Sequence, residues 1–261
     1  MKKGKKILST LLILASMSVL VGCGTSSDGA AAAATTGDGT GATLVMATNA
    51  AFPPYEYVEN GEYVGIDVEI SQKIADELGM ELEIKDVEFG SIVAGVQSGK
   101  YDMGMAGMTV TEDRKKSVNF SNTYATAVQS IIVPSGSAIA SVDDLSSEIK
   151  IGVQQDTTGD IYASDEYGDA VVRYKNGADA VQALVSGKVD CVIIDNEPAK
   201  SFVSANEGLT ILDSAYAEEE YAICVSKDNE ALLNDINGAL AKLQEDGTID
   251  AIVSKYIPAE D

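Results

Sequence analysis

The chain has 261 residues, 41 of them acidic against 18 basic, no histidine, and a formal net charge of −23. Such a balance repels nucleic acid, and no basic stripe offsets it. The lack of histidine excludes His-based triads, His-ligated metals and a histidine proton shuttle.

Met1–Lys6 carries four lysines, and Ile7–Val21 is an apolar run, short for a spanning helix. A small residue and Cys23 follow, so residues 1–22 read as an export signal. Its loss would take the charge to −27. Residues 23–42, mostly Ala, Gly, Ser and Thr without apolar periodicity, read as a flexible tether. About 219 residues remain, enough for one large domain or two small ones. Cys191 and Cys224 sit in the apolar runs DCVIID and YAICVS, which predicts buried free thiols rather than a disulfide.

Thr43–Ala47 predicts a buried strand, and Asn49–Tyr55, with two adjacent prolines, an exposed loop carrying aromatics. Gly61–Gly65 reads as a turn. Asp67 is then expected to cap a helix with Ile70, Ile74 and Leu78 on one face, closed by Gly79. Met80–Lys85 predicts a strand, Phe89–Ser98 a helix and Tyr101–Met105 a strand, giving β-α-β-α-β and a parallel sheet. Ser121–Val133 is too long for an ordinary strand and suits one that leaves one sheet and feeds another. A second β-α-β-α-β series follows at 149–153, 158–167, 170–174, 178–186 and 190–194, then a helix at 197–206. Tyr221–Ser226 reads as a return crossing, Asn229–Glu245 as an amphipathic helix, and Ile249–Tyr256 packs last. Gln97–Asp102 and Val185–Asp190 echo one another, each a glycine stop followed by a strand opening with aspartate, which points to paired α/β units. Gly95-x-x-x-Gly99-Lys100 is one residue short of a phosphate loop and has Tyr101 where Ser or Thr is required.

In open parallel sheets, ligands bind beyond the carboxyl ends of the strands. Gly104–Arg114 runs from a strand through two glycines to a helix start at Thr111, which suits an anion. Arg114 adds a planar fork of donors for a carboxylate, and Thr109 a hydroxyl. Thr157 and Thr158 open another helix, serving either as ligand groups or only as caps. Asp195 follows the strand at 190–194, either as an unpaired charge or as the cap of the next helix. Arginine on one side and aspartate on the other match a zwitterion. Phe52 and Phe89 either flank it or belong to the core.

The segments FPPYEY (Phe52–Tyr57), GIDVEISQKIADELG, VQSGKYD, GMTVTEDR, VNFSNTY, GVQQDTTG and VDCVIIDNEPA resemble, in order, the polar amino-acid-binding proteins of ABC importers. Leu20–Cys23 is similar to the lipobox of bacterial lipoproteins. The resemblance implies the two-lobed α/β fold of type II periplasmic binding proteins, with two sheets flanked by helices and two hinge strands. Lobe 1 is expected at 43–128 and 222–261, and lobe 2 at 129–221. By the same resemblance, Arg114 clamps an α-carboxylate with Thr109, the Gly107–Met108 segment, Thr157 and Thr158. Asp195 takes the α-ammonium, Phe52 and Phe89 sandwich the ligand, and Asn49 and Gln154 face its side chain. A neutral Asn49, where relatives that select cations carry an acid, implies a polar uncharged amino acid. Two residues depart from the family pattern: Asp156 stands where glycine is usual, and Gly90 where aspartate is common.

The implied partners are a free amino acid, ABC permease subunits and, through lipid on Cys23, a membrane. No cofactor, metal, catalytic residue or nucleic acid is implied, and the protein is expected to be an exported monomer. The anchor would lie at the outer face of the cytoplasmic membrane, or in the periplasm if an outer membrane exists. Two competing expectations are a cyclohexadienyl dehydratase-like enzyme, with Glu56 as the nearest acid, and a sensing ectodomain acting through a partner. The missing histidine and the absence of a carboxylate with an obviously raised pKa weigh against the enzyme.

Overall fold

The computed structural model describes residues 41–213 and 215–258, so the expected signal, Cys23 and nearly all of the tether lie outside the described residues. In chain order, β1 (Thr43–Thr48) leads to a small antiparallel sheet of β2 (Ala51–Phe52), β3 (Glu56–Glu59) and β4 (Glu62–Val64), and then to α1 (Ile66–Leu78). β5 (Glu81–Asp86), α2 (Ile92–Gln97), β6 (Met103–Gly104) and α3 (Glu112–Lys115) follow. The 17-residue β7 (Val118–Pro134) precedes β8 (Ile151–Gln154), α4 (Thr158–Tyr167), β9 (Val171–Tyr174), α5 (Gly177–Val185), β10 (Cys191–Asp195) and α6 (Asn196–Ala205). β11 (Leu209–Ile211), β12 (Ala217–Ser226), α7 (Glu230–Glu245) and α8 (Thr248–Tyr256) end the chain. No helix among the described residues is long and apolar enough to cross a membrane.

The sheet order β5-β1-β6-β12-β7-β10-β8-β9 places one parallel set at each end, with the two long antiparallel strands between. β1 pairs in parallel with β5 and β6, and β8 with β9 and β10, as the two predicted β-α-β-α-β series require. Along β7, residues Val118–Gln129 pair with β12, Gln129–Ile132 with β10, and Ile132–Pro134 with β11. One strand therefore serves both sets, joining their ladders into a continuous sheet. Helices cover both faces, as parallel strands buried on both sides demand. Cys191 and Cys224 are buried free thiols, and burial pushes both up to about 12.

The echoed segments do the same job in each set. Gly99 and Gly187 take left-handed φ of 72° and 68°. The Asp102 carboxylate then accepts the Val45 N–H at 2.8 Å, and that of Asp190 the Lys150 N–H at 2.8 Å. Each aspartate ties its own strand's start to the neighbouring strand.

Three expectations for 49–67 fail. The aromatics of the proline loop turn inward, leaving Phe52 and Tyr55 buried, because the unanticipated β2-β3-β4 sheet folds the loop over α1. The expected turn at 61–65 contains the strand β4. Asp67 does not cap α1, which has Gly65 at its N-cap; the carboxylate points inward instead. Gly65 has φ +124°, and a Cβ there would lie 2.2 Å from the Tyr55 carbonyl oxygen. Gly65→Ala is expected to destabilise the protein by about 2–4 kcal/mol. A denaturation midpoint equal to the parent's would show that this loop tolerates a side chain.

Candidate functional site

Ten of the eleven residues expected at a ligand site line a single, narrow cavity: Asn49, Phe52, Phe89, Gly107, Thr109, Arg114, Gln154, Thr157, Thr158 and Asp195. Met108 is the exception. Its side chain is fully buried in the core with Ala47, Ile92 and Val96.

Arg114 rides on α3, a single helical turn whose N-cap Thr111 accepts the Arg114 N–H at 3.2 Å. Its guanidinium donates from Nη1 to the Thr109 carbonyl (2.7 Å) and from Nη2 to the Asp156 carbonyl (3.2 Å). The guanidinium carbon lies 5.1 Å from the centre of the Phe89 ring, so Phe89 braces the cation as well as lining the cavity. Burial lowers the guanidinium pKa, and nearby Glu219 opposes that shift. A planar cation is thus held from both ends of the sheet.

The Gly107 N–H is not open to a ligand, because it donates to Asp67 Oδ2 at 2.8 Å. The role of Gly107 is steric: a Cβ there would lie 2.9 Å from the Phe52 ring. Thr109 Oγ1 donates to Glu219 Oε2 at 3.0 Å and lies 3.4 Å from Thr158 Oγ1. The Thr157 hydroxyl acts as a cap, accepting the Asp160 N–H and donating to the Gln154 carbonyl, so the simpler alternative describes it well. Gln154 Nε2 donates to Asn49 Oδ1 at 2.9 Å, and Asn49 Nδ2 to the Val87 carbonyl.

Asp195 ends β10 and occupies the N-cap position of α6 without making a capping bond. It is not unpaired as expected: Oδ1 accepts the Tyr221 hydroxyl at 2.5 Å, a partner β12 supplies from 26 residues away. Burial, then the nearby Glu219 charge, raise its pKa from 3.8 to about 7, against the lowering effect of Tyr221.

Glu56, expected only as an enzyme's acid, lines the cavity while 1% exposed, and its Oε2 has no hydrogen-bond partner. Burial and then the Asp67 charge raise its pKa. Asp67 itself is raised to about 6 by burial, although the Gly107 N–H and the Tyr124 hydroxyl lower it. Carboxyls with raised pKa values are therefore present, contrary to expectation. The sequence signal for Glu56 is its register opposite Phe52 in the hairpin, visible only once β2 and β3 are recognised. Glu219 and Tyr221 carry no such signal: Tyr221 opens the stretch expected as a return crossing, and Glu219 lies before it.

The description "Bacterial extracellular solute-binding proteins, family 3" matches residues 44–259. The chain belongs to this family. Among its relatives, the arginine-binding extracellular protein ArtP of Bacillus subtilis (strain 168) is 33% identical over 223 residues, covering 83% of this chain and 87% of ArtP. The ABC transporter glutamine-binding protein GlnH of the same organism is 35% identical over 208 residues, covering 77% and 76%. A solved structure titled as an ancestral arginine-binding protein bound to glutamine superposes with a TM-score of 0.79 at 40% identity, covering 83% of this chain and 98% of that one. The fold is the two-lobed type II arrangement of the family's solute-binding proteins, with β7 and β12 as its crossing strands.

Proposed function

We propose that this solute-binding protein captures a free amino acid in the cleft and presents it to an ABC permease. The observation that carries this reading is that Arg114 and Asp195, an anion-binding fork and a carboxylate, line the same cavity. The α-carboxylate would meet Arg114, Thr109 and Thr158, and the α-ammonium Asp195, with Phe52 and Phe89 flanking the stem. Lobe 1 would comprise 43–128 and 222–261, and lobe 2 129–221, a division supported by the change of β7 partners at Gln129. Ligand touching both lobes would stabilise the closed state by its differential affinity. Export and a lipid on Cys23 would keep a monomeric protein beside the permease.

The Asn49–Gln154 amide pair supports a polar uncharged side chain. Glu56 favours a second reading, a cationic side chain, because one oxygen of its buried carboxyl, Oε2, lacks a hydrogen-bond partner. A thermal-shift screen of the soluble chain against the twenty amino acids tests both. A ligand at a hundred times its Kd adds about 2.7 kcal/mol, roughly a 5–10 °C rise for a fold of this size. Glutamine or asparagine giving the largest shift would support the first reading, and arginine or lysine the second. No shift with any of the twenty would overturn the amino-acid assignment.

A further inference from the structure

The two departures from the family pattern, Gly90 and Asp156, meet in space. Gly90 lies in the short turn after β5, and Asp156 in the turn between β8 and α4. A Cβ placed on Gly90 would lie 2.0 Å from Asp156 Oδ2, 2.8 Å from its Cγ and 3.1 Å from its Cβ. Rotating the carboxylate relieves the first contact alone. Relieving the second needs a new χ1, and the third is set by the Asp156 backbone.

That backbone is pinned. Asp156 takes φ +65°, its N–H donates to Asp160 Oδ2 at 3.0 Å, and its carbonyl accepts from Arg114 Nη2 at 3.2 Å. Asp160 is held in turn by Arg173 Nε at 2.8 Å and the Ser164 hydroxyl at 2.8 Å. Lys175 Nζ and Glu88 Oε1, 2.9 Å apart, span the same lip, although both are exposed and contribute little by themselves. The turn carrying Asp156 is therefore held on both sides and has little room to yield if residue 90 gains a side chain.

We propose that Gly90 and Asp156 form a matched closing contact, in which the bare backbone at 90 admits the Asp156 side chain and so lets the Asp156 carbonyl reach and orient Arg114. Asp156 is a positioning residue for the arginine, acting from the opposite wall of the cleft. Residues 90 and 156 are then coupled: a side chain is tolerated at one of them but not at both, unless the two are joined by a covalent bond. This rests on the amino-acid reading above, and the tests below separate the two.

The affinities of the wild type, Gly90→Asp, Asp156→Gly and the double variant for L-arginine and L-glutamine are compared by calorimetry. Gly90→Asp is expected to lose at least tenfold for whichever amino acid the wild type takes, and the double variant to return to within about threefold of wild type. A Gly90→Asp protein that binds like the wild type, or a double variant no better than Gly90→Asp, overturns the coupling. If the wild type takes neither amino acid, the contact is read from Gly90→Cys/Asp156→Cys. The two Cβ positions, 3.1 Å apart, are a few tenths of an ångström under the span of about 3.5–4.5 Å that a disulfide takes, so a small outward shift of either turn allows the bond to form on oxidation. Failure of that bond to form would remove the contact whatever the ligand is.

Discussion

Arg114→Ala is expected to weaken amino-acid binding by about 3 kcal/mol or more, because a buried carboxylate would lose its charged partner. That is roughly a hundredfold in Kd. The loss should be larger than a charge count suggests, since the side chain also bonds Thr109 and Asp156 from opposite ends of the sheet. Arg114→Lys should recover only part of it, because an ammonium restores charge but not the planar fork that reaches both carbonyls and lies against Phe89. Calorimetry on the two variants decides the matter. Near-parental affinity in the alanine variant would place the carboxylate elsewhere.

Asp195→Asn should cost a similar amount of binding, about 2–5 kcal/mol at pH 8, for the mirror-image reason. It should also change the response to pH. With its pKa raised to about 7, Asp195 in the ligand-free protein is largely protonated below that value and ionised above it. A ligand ammonium requires the ionised form, so wild-type affinity should climb from pH 5.5 to about 8 and then level off. The asparagine variant should lack the component of this rise that centres near pH 7. Ligand-free stability moves the other way. An acid with a raised folded pKa binds more protons folded than unfolded, so stability falls as pH rises from about 4 to 7. The variant escapes this, and at pH 8 it should be more stable by on the order of 2–4 kcal/mol. If it were less stable than the parent at pH 8, while binding was unchanged, Asp195 would be a structural residue.

A stabilising change that abolishes binding would fit the chemistry of the pocket. Glu56, Asp67 and Asp195 are buried together, and the raised pKa values record the strain of keeping negative charge out of water. An incoming cation beside Glu56 or Asp195, the two of them that line the cavity, is expected to relieve that strain.

The elements were legible in the chain because their causes are local. Glycines at 79, 99 and 187 stop helices by taking positive φ, Thr111, Thr157 and Asn229 cap by reaching three residues forward, and alternating strand and helix patterns impose parallel pairing. The length of Ser121–Val133 was itself enough to announce a strand shared by two sets, since no ordinary strand needs it. Thr109, Arg114, Thr157, Thr158 and Asp195 could be named because strand ends and helix starts are where such groups collect, whereas Asn49, Gln154 and Gly107 were implied only by the family resemblance. What those side chains do once folded was not legible. Asp67 turned from cap to buried acceptor, the Gly107 N–H was already taken, and Asp195 acquired Tyr221 from another strand. Each of these depends on a partner 26 to 57 residues distant, whose approach is set by sheet register and helix packing rather than by neighbouring sequence. The sequence alone thus determined the elements, their pairing sense and the kind of charge available. Only the tertiary structure decided which charges face one another, which are already satisfied, and that Gly90 and Asp156 share one space, because those outcomes follow from distances through space that no local pattern encodes.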